Sequence, residues 1–451
     1  MSLLDTFFGR NKSASPPHKP DMSPAPSRQP AATPVAPSAA AVAPEPSVDP
    51  DALVFRQEIV DTKRRLCGYR FMPVSMISNR VVPEPQFIEA LQELRVTEFA
   101  QRRRAVVPIS PDCVVFGRHQ ALVAPQLHLM LDVRRAGLPP QELLGRLSTL
   151  REAGCKTALT GVSLVPEQMA LMQATDLLFL PLSEMPFREL QSTAHHLHTS
   201  YPHLQLAAEQ VHSWAEQRAC ASWGFEYCMG DFLTQSDEDG AEEELSESRI
   251  ATIELLNSLR READLAELTA VAKRDPGISF HLLQWANSPA VGLAKTVTTL
   301  GQAIMVLGRE QLYRWLTVSM FRMGKQRERD EALLEVALTR ARFLETIGDR
   351  GLSKEQREEL FLVGLLSLFD VLLRMPMQKI LSRIQLSEAE SDVLLRSSGP
   401  YCHYLMLALA MEKGRVQQVA TLAQGLGLET ERLDRTHREA FSWAQEALSA
   451  A

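Results

Sequence analysis

The chain has 451 residues, 45% of them apolar, with a formal charge of −7 and a pI near 5.9. That length and apolar share are enough for two domains with real cores and exclude a disordered chain. The acidic balance argues against a general nucleic-acid binder, because phosphate contacts need a concentrated basic face.

The start, MSLLDTFFGRNK, puts its apolar residues before its basic ones, the wrong order for a secretory signal. Residues 1–50 hold eleven of the 27 prolines and read as a disordered Pro/Ala/Ser-rich tail, with Leu3, Leu4, Phe7 and Phe8 forming a sticky tip. No run of about 18 apolar residues occurs, so no membrane span is expected and a cytoplasmic location follows. The six cysteines, at 67, 113, 155, 220, 228 and 402, contain no CxxC and are expected to be reduced core thiols.

Over residues 51–235, short apolar runs alternate with amphipathic stretches. VFRQEIVD, RLCGYRFM, AVVPIS, LHLMLDV, KTALTGVSL, DLLFLPL and LQLAAEQV read as strands. PPQELLGRLSTLREAG reads as a helix, with Leu143, Leu147 and Leu150 on one stripe and Gly154 as its stop. This alternation predicts an α/β domain of parallel strands, as a barrel or an open sheet, with some units truncated. The run SDEDGAEEELSES within residues 236–248 has no apolar period and predicts an acidic linker.

Residues 249–451 read as all-α. Asp264 with Glu267 caps one helix, and Asp275 with Pro276 starts the next, which Asn287-Ser288-Pro289 stops. Ile278, Leu282, Leu283 and Trp285 fill one side of that second helix, which places His281 as a partly buried core histidine. Thr299 with Gln302 caps QAIMVL, which closes at Gly308.

Chemical motifs are scarce. No His-Asp dipeptide occurs, and GxGxxG, GxxxxGK[ST] and GxSxG are all absent. His195, His196, His198 and His203 are expected on a solvated helix, and Arg102-Arg103-Arg104 on a solvated face where an anion contact is an option.

The DP start, the LLxxANSP helix end and the TLxQAIxxLG segment together resemble the HDOD domain, a helical relative of HD hydrolases that lacks the metal-binding His-Asp pair. FLVGLLSLFDVLLRMPMQKIL, from Phe361 to Leu381, resembles the segment found when this domain follows an EAL-like domain in bacterial signalling proteins. The first domain is then similar to the EAL family of cyclic-di-GMP phosphodiesterases, a (β/α) barrel. In QEIVDTKRRLCGYRFM the family's glutamate position is occupied by Arg70. The resemblance places Asp132 at a metal-binding glutamate, Thr160 and Gly161 at two aspartates, and Phe179 and Pro181 at a lysine-aspartate pair. Glu209 survives, and His212 stands at the next acidic position.

Two-metal hydrolysis needs several oxygen ligands. A guanidinium about 4 Å from a dication adds repulsion on the order of 8 kcal/mol at an effective dielectric near 20. The expectation is therefore a degenerate phosphodiesterase domain that is not an enzyme and holds no metal or other cofactor. The chain reads as a non-catalytic scaffold in signal transduction whose partners are other signalling proteins. The alternatives are a cyclic-di-GMP sensor that binds without hydrolysis, and residual turnover through Asp132 and Glu209. In the HDOD segment, Asp275, Pro276, Asn287, Ser288 and Pro289 are expected to act structurally, as caps and stops.

Overall fold

A computed structural model describes residues 52–449 apart from 77–80, 164, 238–244, 288–295 and 325–326. The expected N-terminal tail and the centre of the acidic linker lie outside the described residues, as do Ser288 and Pro289. Eight strands close into a barrel in sequence order. They are β1 (Ala52–Asp61), β2 (Leu66–Ser75), β3 (Arg104–Pro108), β4 (Leu127–Asp132), β5 (Lys156–Thr160), β6 (Leu177–Pro181), β7 (Gln205–Val211) and β8 (Tyr227–Gly230). The seven runs read as strands form β1 to β7. The closing strand β8 was not foreseen, because four residues, YCMG, are too short to carry a period.

β1 runs antiparallel to both its neighbours, while all other pairs are parallel. The reason is local. A tight turn follows β1, where the Asp61 carboxylate accepts the backbone N–H groups of Lys63 (2.9 Å) and Arg65 (3.0 Å). A two-strand hairpin needs no crossover helix, so this unit is truncated as expected. Ile59, Val106, Met130, Ala158, Leu177, Phe179, Ala207 and Met229 fill the barrel interior.

The second half is helical. Asp275 Oδ1 accepts the Ile278 N–H at 2.9 Å and caps the helix Pro276–Ala286, with Pro276 in its first turn. Trp285 stacks on Trp315 with ring centroids 5.6 Å apart. His281 is a correction: it is exposed, because the buried stripe runs through Ile278, Leu282, Trp285 and Ala286 and leaves position 281 on the outer side.

Two helices join the halves: the long helix Arg327–Ile347 and the C-terminal helix Thr430–Ser449. Both pack on the β1–β2 hairpin, the part of the barrel that has no crossover helix of its own. Leu53 and Phe55 of β1 share a core cluster with Phe343, Leu344 and Leu407. Tyr69 and Phe71 of β2 meet Phe441 of the C-terminal helix at 5.1 and 6.4 Å between ring centroids.

Candidate functional site

Arg70 in the middle of β2, Asp132, Thr160 and Gly161 at the carboxyl ends of β4 and β5, and Glu209 on β7 come to one mouth of the barrel. Arg70 on β2 ion-pairs through Nη1 with Glu209 on β7, and its Nη2 donates to Gln57 Oε1 at 2.7 Å. The guanidinium carbon lies 5.6 Å from the centroid of the Phe179 ring. Side chains from three strands therefore hold one cation over an aromatic floor, a charge-assisted and cation–π arrangement.

Asp132, at the end of β4, accepts the Arg134 N–H at 3.0 Å and pairs with Arg135 Nε at 3.4 Å. Thr160 stands opposite it in register on β5. Gly161 has φ +68°, and a Cβ there would lie 2.6 Å from Asp132 Oδ1, so the residue's small size is what admits the aspartate and Arg134 beside it. Arg134 in turn donates two hydrogen bonds to Glu184, at 2.8 and 3.0 Å. His212 pairs with Asp231 at 2.8 Å on the same rim.

The barrel resemblance implies two divalent cations at this mouth. Of the oxygen donors at the matched positions, Glu209 is engaged by Arg70, while Asp132 accepts backbone amides and pairs with Arg135. Among the described residues no three His, Cys, Asp or Glu side chains form a metal-holding group. The residues as arranged do not fit a metal pair, and no step is derived through one.

The basic triplet is a second correction. Arg102 is exposed as expected, but Arg103 pairs with Glu335 at 2.6 Å and Arg104 is buried at the opposite end of the barrel. There Arg104 donates to the Tyr227 hydroxyl at 2.7 Å and contacts His128 Nε2 at 2.8 Å. Burial and the adjacent guanidinium hold His128 down to about 3, so its ring is neutral and accepts that bond. In the histidine patch, His195 and His196 are exposed, while His198 Nε2 contacts the Gly224 carbonyl at 2.7 Å and His203 Nε2 the Met172 carbonyl at 3.1 Å.

The polar network between the halves was missed. Glu335 of the long helix accepts from the Tyr69 hydroxyl (2.8 Å), Arg103 (2.6 Å) and Gln445. Arg340 donates to both carboxylate oxygens of Glu412, at 2.7 and 2.6 Å. Asp434 accepts the Val54 N–H at 2.9 Å, and Arg56 Nη2 lies 3.3 Å from His437 Nε2. Burial keeps His437 well below its ordinary value, so its neutral ring is the acceptor of that contact. A signal was present in the sequence: Arg56-Gln57-Glu58 puts three consecutive polar residues in mid-strand, where one face would ordinarily be apolar.

Burial, then the nearby Glu412 and Glu335 carboxylates against the pull of Arg56, pushes Glu58 up from 4.5 to about 7. A carboxyl whose folded value is raised binds more protons when folded, so stability is lost as pH rises from about 4.5 through 7. Glu58→Gln is expected to flatten that slope and to exceed the parent protein in stability at pH 8 by on the order of 1–2 kcal/mol. Urea unfolding at pH 5 and pH 8 measures it, and equal slopes in the two proteins would refute it.

With this geometry in place, comparison with known proteins gives three kinds of match. The HDOD domain family model matches residues 249–398. The chain is 26% identical over 246 residues to the uncharacterized protein YuxH of Bacillus subtilis, a match spanning 54% of this chain and 59% of that relative's length. It is 20% identical over 403 residues to the cyclic di-GMP phosphodiesterase CdgJ of Vibrio cholerae, covering 87% of this chain and 92% of the relative. Among solved structures, the FimX EAL domain from Pseudomonas aeruginosa bound to c-di-GMP gives a TM-score of 0.31 at 13% identity, over 41% of this chain and 90% of that one.

The expectation that the chain is not an enzyme is overturned by the CdgJ match, since a protein aligned with nearly the whole chain is named a phosphodiesterase. That expectation rested on ligand identities at single positions, whereas the match runs through both domains. Among the described residues no helix is long and apolar enough to cross a membrane. Behind the eight-stranded barrel, residues 249–398 of this chain are an HDOD domain.

Proposed function

We propose that this chain is a cyclic-di-GMP signalling protein that engages the dinucleotide at the carboxyl-terminal mouth of its barrel and relays its state to other signalling proteins through the HDOD domain. The observation that carries this reading is Arg70, held over Phe179 by Glu209 and Gln57 at the centre of the mouth. A guanidinium already desolvated and aimed by two partners is suited to a phosphodiester oxygen, which can replace Glu209 as its acceptor. Arg134 and Arg135 add cations at the rim. Alignment with a cyclic di-GMP phosphodiesterase over 87% of the chain supports the ligand class. The packing of the long and C-terminal helices on β1–β2 supports a relay, because a shift at the mouth end of the hairpin is felt directly by those helices.

Calorimetric titration of the full-length protein with cyclic-di-GMP tests the reading. Saturable heat is expected, with Arg70→Ala weakening affinity by at least about tenfold, the loss of one charge-assisted phosphate contact. No heat at high micromolar dinucleotide removes the reading. Turnover with manganese, measured on the same protein and on Glu209→Ala, reports whether binding leads on to hydrolysis.

A further inference from the structure

A cavity of about 290 Å³ lies between the β1 edge of the barrel and the turn after the helix Cys402–Glu412. Phe55, Met72, Leu233 and Val336 form its apolar wall, and Arg56, Glu58, Lys413 and Arg415 line it with charge. A smaller void of about 20 Å³ shares Arg56, Glu58, Val336 and Glu412 with it, and adds His437.

The charges around this space are unevenly satisfied. Glu412 is taken by both nitrogens of its Arg340 partner, and Asp231 on the rim pairs with His212 and with Lys413 at 3.7 Å. Arg56 is only 8% exposed, and its Nε and Nη1 have no hydrogen-bond partner in the protein, although its guanidinium lies over the Phe441 ring. His437, 4% exposed and lining only the smaller void, has no partner for Nδ1 of its neutral ring. Arg415 makes no ion pair among the described residues. Leaving buried charged donors without acceptors costs more than an ordinary lost hydrogen bond. Arg56, with two such nitrogens, borders this interdomain space, and Glu58 is the acid left against it, pushed up to about 7 by burial.

We infer that this interdomain cavity is a binding site for a small oxyanion ligand, a carboxylate or phosphate monoester with a compact apolar body, held by Arg56 and Arg415. The apolar wall receives the body, and the oxyanion supplies the acceptors that Arg56 lacks. The volume falls just below the roughly 300–1,000 Å³ of ordinary ligand pockets, which suits a mononucleotide or smaller and not a cyclic dinucleotide. The cavity adjoins the barrel mouth, sharing Gln57 and His212 with its rim, and because its walls come from both halves, an occupant ties them together.

Thermal unfolding of the full-length protein with malonate and, separately, adenosine monophosphate tests the site, adenosine being the uncharged control. A saturable rise in midpoint below about 10 mM is expected with at least one of the two anions and not with adenosine. Response to malonate alone identifies a carboxylate, and response to the nucleotide a phosphate ester. Arg56→Met and Arg415→Glu are each expected to weaken that response at least tenfold while leaving cyclic-di-GMP titration unchanged, which separates failure here from failure at the barrel mouth. Should Arg56→Met not fold, the exposed Arg415 decides by itself. No saturable shift with either anion, or a shift that survives in the folded variants, overturns the assignment.

Discussion

Glu335→Ala is expected to destabilise the protein by about 3–5 kcal/mol, the usual cost of removing one partner from a buried charged network. Glu335 is 1% exposed and accepts from a phenol, a guanidinium and an amide drawn from β2, the segment before β3 and the C-terminal helix. Alanine strands all three donors. The Tyr69 hydroxyl, which burial and Glu335 together hold well above its ordinary titration range, cannot escape by ionising. Glu335→Gln keeps the shape and an acceptor oxygen, so its cost is expected to be near half that of alanine. Chemical denaturation measures both. A loss under about 1 kcal/mol for alanine means the donors find water and the network does not hold the halves together.

Phe441→Ala is expected to cost about 3–5 kcal/mol, the range for a buried phenylalanine whose neighbours cannot fully collapse. Its ring is surrounded by Tyr69, Phe71 and Phe99, with centroids 5.1, 6.4 and 6.2 Å away, and carries the Arg56 guanidinium 4.1 Å above it. Part of the loss therefore comes from aromatic and cation–π contacts beyond area burial. The variant is also expected to free the C-terminal helix, seen as early cleavage after residue 427 in limited proteolysis, while the helices of residues 249–398 stay protected. A small stability change with an unaltered digestion pattern would show that the C-terminal helix is not what fastens the two halves.

These two effects arise where sequence reading was weakest. Elements whose signals are local were legible: the stripe Leu143, Leu147 and Leu150 is buried against the barrel, and Asp264, Asp275 and Thr299 each accept the N–H three residues on, as helix caps do. Asn287 was read as a stop and does more. Its amide donates to the Leu283 and Val297 carbonyls and its oxygen accepts the Val297 N–H, pinning together chain ten residues apart. Nothing local indicated that Arg70 would spend its charge on Glu209, 139 residues away, and on Gln57.

The sequence by itself determined the order of strands and helices, the caps and the HDOD segment, because periodicity, capping chemistry and ordered motifs act within a few residues of where they are read. The tertiary structure alone decided barrel closure through a four-residue strand, the ion pair across the mouth, and the polar seam in which burial pushes Glu58 up and holds His437 down. Those depend on which distant groups share a space from which water has been removed, and desolvation and Coulomb attraction follow distance in space, not distance along the chain.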